Sequence, residues 1–383
     1  MRFKTLGAAL ALSLLLAVPL QASASPAEAI NNFAFSASRV LGQAGGAYFF
    51  SPFSIISAFG MAYAGAAGAT ASEIERALGF SWGLHGDLGE FVQDIERGRQ
   101  VTSANRVWLS KGLKLRRDYQ NTLYLYYRST AEALDIEGRP DESRKTINDW
   151  VSAKTNGKIH DLLQTLDPSV KMVITNAVYF NARWLAPFSK NATSPEKFRD
   201  GEKVSEVPMM KKLDRFAYGA FDGVKAVRIP YEGRRMSMLV LLPPEDNPKA
   251  LDALDSETLT RWAKSLKRRE VDLWLPKFKT ERRYELADIF KALGVKLAFS
   301  NNADFSGITD GERLKVDAVI HQTFIEVDEE RTEAAAATAI TMLKATAMPN
   351  PEPIAEFHAD RPFTYFILDD QTGTILFMGR QTF

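Results

Sequence analysis

The stretch Met172 to Phe180 reads MVITNAVYF, a nearly continuous apolar run. A strand with one wet face alternates, so a run like this fits a central strand covered on both faces. Met236 to Leu242 is a second such run, closed by Pro243-Pro244. Val271 to Leu275 and Val319 to Val327 alternate instead. The last strands are Phe363 to Leu368 and Ile375 to Met378, joined by a turn at Asp370 to Gly373. The fold must therefore supply a large, layered sheet.

Helices dominate the N-terminal third. Ile30, Phe33, Ala34, Ala37, Val40 and Leu41 recur at helical spacing. Ser51 followed by Pro52 is an N-cap with proline in the first turn, and Phe53 to Ala64 then reads as a buried helix. Thr70 and Glu73 have the spacing of a capping box, and Gly79 stops that short helix. Another helix starts near Asp141, carries Ile147, Trp150 and Val151 on one face, and ends at Asn156-Gly157. Helices first and strands later predict an α+β fold. No linker, repeat or low-complexity tract divides residues 25–383, which read as a single domain.

Residues 1–24 read as a signal peptide. Arg2 and Lys4 open it, Leu6 to Leu20 is apolar, and Ala22-Ser23-Ala24 is a small-x-small cleavage pattern. The expectation is a secreted protein, extracellular or periplasmic, starting at Ser25-Pro26. Pro19 and the shortness of the run argue against an anchor helix, which needs about 20 apolar residues. Removing Arg2 and Lys4 from the 48 basic residues leaves 46 against 47 acidic ones. That balance gives no electrostatic reason to expect a nucleic acid or an anionic membrane as partner. With 0 cysteines the chain has no thiol nucleophile, and packing alone must stabilise an exported protein. The histidines, His85, His160, His321 and His358, do not pair at metal spacing, so no metal or cofactor is expected.

Residues 329–353 fit none of these patterns. Glu329-Glu330-Arg331-Thr332-Glu333 leads into Ala334-Ala335-Ala336-Ala337-Thr338, and Pro349, Pro351 and Pro353 follow. Propensity alone makes the alanine run a surface helix. Its helical face of Ala334, Ala337, Thr338 and Thr341 has little apolar area to bury. As an extended chain it is more orderly. Thr332, Ala334, Ala336, Thr338, Ile340 and Met342 share one side, small and then apolar. Such a strand can slide into a crowded sheet without collision, which points to recognition by strand insertion.

This segment closely resembles the reactive-loop hinge of serpins, and other motifs follow in the family's order. They include Ser51-Pro52-Phe53-Ser54, Ile147-Asn148-Asp149-Trp150-Val151, and Asn176-Ala177-Val178-Tyr179-Phe180 with Trp184 and Phe188. Val207-Pro208-Met209-Met210, Leu275-Pro276-Lys277-Phe278, Asp304-Phe305-Ser306-Gly307, His321 and Asp360-Arg361-Pro362-Phe363 continue the series. The resemblance covers essentially the whole mature chain. It implies the serpin fold, with N-terminal helices packed on a large central mixed sheet, smaller sheets and an exposed reactive loop. One departure is Arg331, where inhibitory members usually carry glycine. Losing that freedom costs about 1 kcal/mol where the native φ is unusual, and it bears on insertion speed.

The resemblance also implies a mechanism. A serine protease attacks the loop and forms an acyl-enzyme. The freed hinge, Glu329 through Thr338, then inserts between two central strands and carries the protease with it. About thirteen residues at about 3.3 Å each make roughly 40 Å of new strand. Loop length places the reactive bond between Ala345 and Thr346, suiting an elastase-like enzyme; the second choice is Lys344–Ala345, suiting a trypsin-like one. Ser51, Ser54, Asn176 and His321 are the implied gating cluster under the sheet. Trp184, Lys277 and Glu329 mark the implied point where the loop first inserts. Taken alone, His321 is a satisfied core histidine, and Lys277 and Glu329 are solvated surface charges worth about 0–1 kcal/mol as a pair.

Rival functions belong to other classes. Zinc-protease histidine pairs are absent, so an enzyme is not expected. A non-inhibitory serpin, carrier or structural, would favour bulky or charged residues on the inserting face, unlike Thr332, Ala334, Ala336 and Thr338. Inhibition of cysteine proteases stays open, because the same loop chemistry traps an acyl-thioester. The expected partner is a protease, bound by a monomer.

Overall fold

The computed structural model describes residues 25–42, 46–81, 83–332 and 352–383. In chain order it opens with α1 (Pro26–Leu41), β1 (Tyr48–Phe50), α2 (Pro52–Tyr63), α3 (Gly68–Leu78) and α4 (Leu84–Arg97). There follow β2 (Val101–Ser110), α5 (Arg117–Tyr127), β3 (Ala131–Leu134), α6 (Pro140–Lys154), β4 (Met172–Phe180) and β5 (Ala182–Arg183). Next come β6 (Ser194–Asp200), β7 (Lys203–Phe221), β8 (Val224–Pro230), β9 (Met236–Leu242) and α7 (Ser256–Ser265). After β10 (Lys267–Pro276), β11 (Phe278–Glu285) and α8 (Ala287–Ala292) lies β12 (Ala318–Val327). The chain ends with β13 (Arg331–Thr332), β14 (Ala355–His358), β15 (Phe363–Asp369) and β16 (Thr374–Gln381).

The central sheet has five strands in the order β11-β12-β4-β2-β3. Its middle pair, β12 and β4, is parallel, in register from Ala318↔Val173 to Phe324↔Tyr179. Every residue of β4 is buried, as a strand covered on both faces requires. One face meets the main core, through Met172, Ile174 and Val178 of β4 and the wholly buried α2. The other face meets a second cluster in which Val173, Ala177 and Ile320 pack under Ile147 and Val151 of α6. Arg106 clamps α6 further, its guanidinium 4.3 Å from the centre of the Trp150 ring.

The larger, nine-stranded sheet runs β1-β16-β15-β9-β8-β7-β10-β14, with β6 on β7. The continuous run of β9 is buried throughout, and β15 and β16 form the expected hairpin.

Two local expectations fail. Thr70 and Glu73 do not form a capping box, because tertiary partners take both side chains. Thr70 Oγ1 accepts the Asp304 amide at 2.9 Å, and Glu73 accepts the Lys296 amide at 2.7 Å, so α3 begins at Gly68 with no side-chain cap. Helices and strands also interleave: β2 lies in the N-terminal third, and α7 lies among the later strands. Gly79 does stop α3, with φ 69° in the left-handed region.

Candidate functional site

The site occupies the junction of β12 and β4 at two heights. At mid-sheet, Ser51, Ser54, Asn176 and His321 meet, all with no exposed surface. Ser51 stands where β1 ends and α2 begins, and its Oγ caps α2 by accepting the Ser54 amide at 3.1 Å. That hydroxyl donates to the Leu376 carbonyl at 2.7 Å, tying α2 to β16. Asn176 and His321 are register partners on β4 and β12. The Asn176 amide donates to the Ser54 carbonyl at 3.0 Å.

These bonds settle the histidine's tautomer. His321 Nε2 accepts the Ser51 amide at 3.1 Å and so carries no proton. Nδ1 then carries it and donates to Asn176 Oδ1. Burial pushes the imidazole down to about 3, so His321 is neutral at any ordinary pH.

At the top of the sheet the chain leaves β12 under a tight hold. Trp184 Nε1 donates to the Asp328 carbonyl at 2.8 Å, and the Phe188 amide donates to the Glu329 carbonyl at 2.7 Å. Trp184 is itself stacked on Tyr231, ring centres 4.6 Å apart. Beyond it, β13 pairs with β5, Arg331↔Arg183 and Thr332↔Ala182. Glu329 is only 4% exposed. Its carboxylate takes Lys277 Nζ at 2.7 Å and the Thr193 hydroxyl at 2.8 Å. Burial pushes the Glu329 carboxyl up, but Lys277 and Thr193 outweigh it, and the net shift is downward. Lys277 and Glu329 are thus not a solvated pair, because the junction of β10 and β11 brings Lys277 onto the buried Glu329 just after β12.

Of the residues singled out from sequence, the structure brings together Ser51, Ser54, Asn176 and His321, and separately Trp184, Lys277 and Glu329. Glu330, Arg331 and Thr332 continue from Glu329. Residues 333–338 of the hinge and Lys344, Ala345 and Thr346 lie outside the described residues, as do residues 1–24, read from sequence as a signal peptide.

Sequence reasoning missed three participants. Asn105 lies opposite Asn176 on β2, and its Oδ1 accepts from Ser54 Oγ at 3.4 Å. Thr193 holds Glu329, and Lys190 pairs with Glu330 at 2.5 Å. It also passed over Gly79-Phe80-Ser81-Trp82-Gly83, which has the G-x-S-x-G spacing of a hydrolase nucleophile elbow. That stretch joins α3 to α4, where the elbow requires a strand-to-helix turn.

Comparison with known proteins bears on the whole chain. A family profile described as "Serpin (serine protease inhibitor)" matches residues 28–382. An uncharacterized serpin-like protein of Thermococcus kodakarensis is 39% identical over 360 residues, covering 92% of this chain and 84% of that protein. The leukocyte elastase inhibitor of Equus caballus is 35% identical over 354 residues, covering 88% and 92%. Among solved structures, human thyroxine-binding globulin in complex with thyroxine superposes with a TM-score of 0.84 at 27% identity, covering 93% of this chain and 97% of that one. The chain belongs to the serpin family, whose members are mostly protease inhibitors rather than enzymes.

Proposed function

We propose that this protein is a secreted suicide inhibitor of serine proteases, trapping the acyl-enzyme by inserting its cleaved reactive loop between β4 and β12. The observation that carries this is the parallel β12–β4 pair at the centre of a five-stranded sheet, with the hinge leaving directly from the end of β12. A strand entering between them runs antiparallel to both and can pair its backbone groups with each of them. The small residues of the inserting side, Ala334, Ala336 and Thr338, suit passage beneath α6. In this account Ser51, Ser54, Asn176 and His321 keep the pair closed, and Trp184, Lys277 and Glu329 hold the hinge until cleavage.

The target is an elastase-like enzyme cutting between Ala345 and Thr346, with a trypsin-like cut at Lys344–Ala345 as second choice. The likeness to a leukocyte elastase inhibitor favours the first. The test is incubation with pancreatic elastase, trypsin and papain, followed by a denaturing gel and mass spectrometry of the released C-terminal fragment. A covalent complex with elastase and a fragment starting at Thr346 supports the proposal. A fragment starting at Ala345 moves the target to trypsin, and one starting at or beyond Pro349 defeats both assignments. Cleavage by every protease with no complex would favour a carrier, the role printed in the name of thyroxine-binding globulin. Export is tested separately, by N-terminal sequencing of the protein recovered outside the cytoplasm, which should begin at Ser25.

A further inference from the structure

A cavity of about 860 Å³ lies far from the hinge, between the C-terminal half of α1, the chain from Pro243 to Leu254, the start of β15 and the end of β16. Its volume is within the range of small-molecule sites, about 300–1,000 Å³. Phe35, Leu251, Leu254, Phe363 and Met378 give it an apolar wall. Met378 and Arg380 sit two residues apart on β16, so they share the face that lines it.

The charges around this space are uneven. Arg361 is spoken for, 2.8 Å from Asp360 and 3.9 Å from Glu245. The other charged lining side chains are four cations, Arg39, Arg199, Lys249 and Arg380, and two carboxylates, Asp200 and Asp252. Arg380 is the half-buried member of the four and has no carboxylate within ion-pair distance among the described residues. The remaining polar wall is already satisfied. The Tyr48 hydroxyl is paired with Ser38, which sends its own proton to the Phe35 carbonyl at 3.0 Å. Burial pushes the Tyr48 phenol up to about 12, so it adds no negative charge.

We propose that this cavity binds a small molecule with an apolar body and a single carboxylate, the carboxylate on Arg380 and the body against Phe35, Leu251, Leu254 and Phe363. A guanidinium that is partly desolvated and unpaired favours a planar anion, which it meets with two parallel hydrogen bonds. A neutral apolar ligand leaves Arg380 uncompensated, and a cationic one meets a rim of like charge. The proposal does not depend on the loop or on protease inhibition.

The test is calorimetric titration of the intact protein with dodecanoate below its micelle concentration, with dodecanol and dodecyltrimethylammonium as uncharged and cationic comparators. The expected result is one saturable dodecanoate site, with dodecanol about tenfold weaker or worse and no cation binding. Arg380→Gln should weaken dodecanoate by a similar factor, and Leu251→Trp should weaken it by crowding the apolar wall. If Leu251→Trp lowers the melting temperature of the free protein, the half-exposed Arg380→Gln decides alone. No saturable dodecanoate binding, equal affinity for dodecanol, or undiminished binding to Arg380→Gln would each overturn the proposal.

Discussion

His321 holds the backbone of Ser51, its Nε2 accepting the Ser51 amide at 3.1 Å while Nδ1 donates to Asn176. One neutral ring therefore ties β12 to β4 and to the start of α2. Protonating it would break the Ser51 bond, because Nε2 would become a donor facing a donor.

Acid should weaken the fold through this ring. Its folded pKa, about 3, lies below the unfolded value of about 6.5. The unfolded chain then binds more protons at pH 5, so stability is fully present above pH 6.5 and is lost as pH falls toward 3. At pH 5 a single such histidine accounts for about 2 kcal/mol. His85, lowered by burial to about 4, adds a second contribution of the same sign. His321→Gln should shrink the difference in urea-unfolding stability between pH 7.5 and 5.0 without removing it. An unchanged difference would mean that His321 is not held neutral in the fold.

Lys277→Met should loosen the hinge. Glu329 would keep a buried carboxylate with the Thr193 hydroxyl but no counter-ion. The loss should be about 1–3 kcal/mol, less than for a fully buried pair because Lys277 is partly exposed. The variant should melt lower and lose complex-forming capacity faster on warming, whereas Lys277→Arg should retain both. Because the Glu329 carboxyl is net lowered, its contribution is present above its ordinary range and lost as pH falls below it. Unaltered melting of Lys277→Met would return the pair to the status of surface charges.

On the proposed function, Thr332→Arg should turn the protein from an inhibitor into a substrate. Position 332 is paired through its backbone to Ala182, just past the end of β4, and in the proposed mechanism it is among the first residues to advance into the sheet. Carrying a guanidinium inward costs several kcal/mol, insertion slows, and the protease completes deacylation. The readout is stoichiometry, the moles of inhibitor cleaved per mole of protease trapped, which should rise. A stoichiometry equal to that of the parent would rule out this role.

What was legible in the sequence follows from how local each signal is. β4 and β9 announced themselves because burial on both faces leaves few polar positions, Thr175 and Asn176 in the first and Ser237 in the second. The Ser51 cap was readable because Pro52 follows it directly. β7 was not, since of its 19 residues only Val207, Met209, Met210 and Phe216 are buried, too few and too unevenly spaced to read as an alternation. Thr70 and Glu73 had a local spacing that distant backbone amides overrode. The resemblance carried Ser51, Ser54, Asn176 and His321 into one cluster, while Asn105 joins them only through the register of β2 on β4, which no local pattern encodes.

The central claim is that the five-stranded sheet is not the most stable arrangement of this chain once the loop is cut. The direct measurement is the melting temperature of protein nicked once between residues 340 and 350, compared with intact protein under the same conditions. Insertion adds a strand to the sheet and pairs that strand's backbone groups with a neighbour on each side. The account predicts that the nicked protein melts well above the intact one. A nicked protein that melts at the same temperature or lower would contradict it.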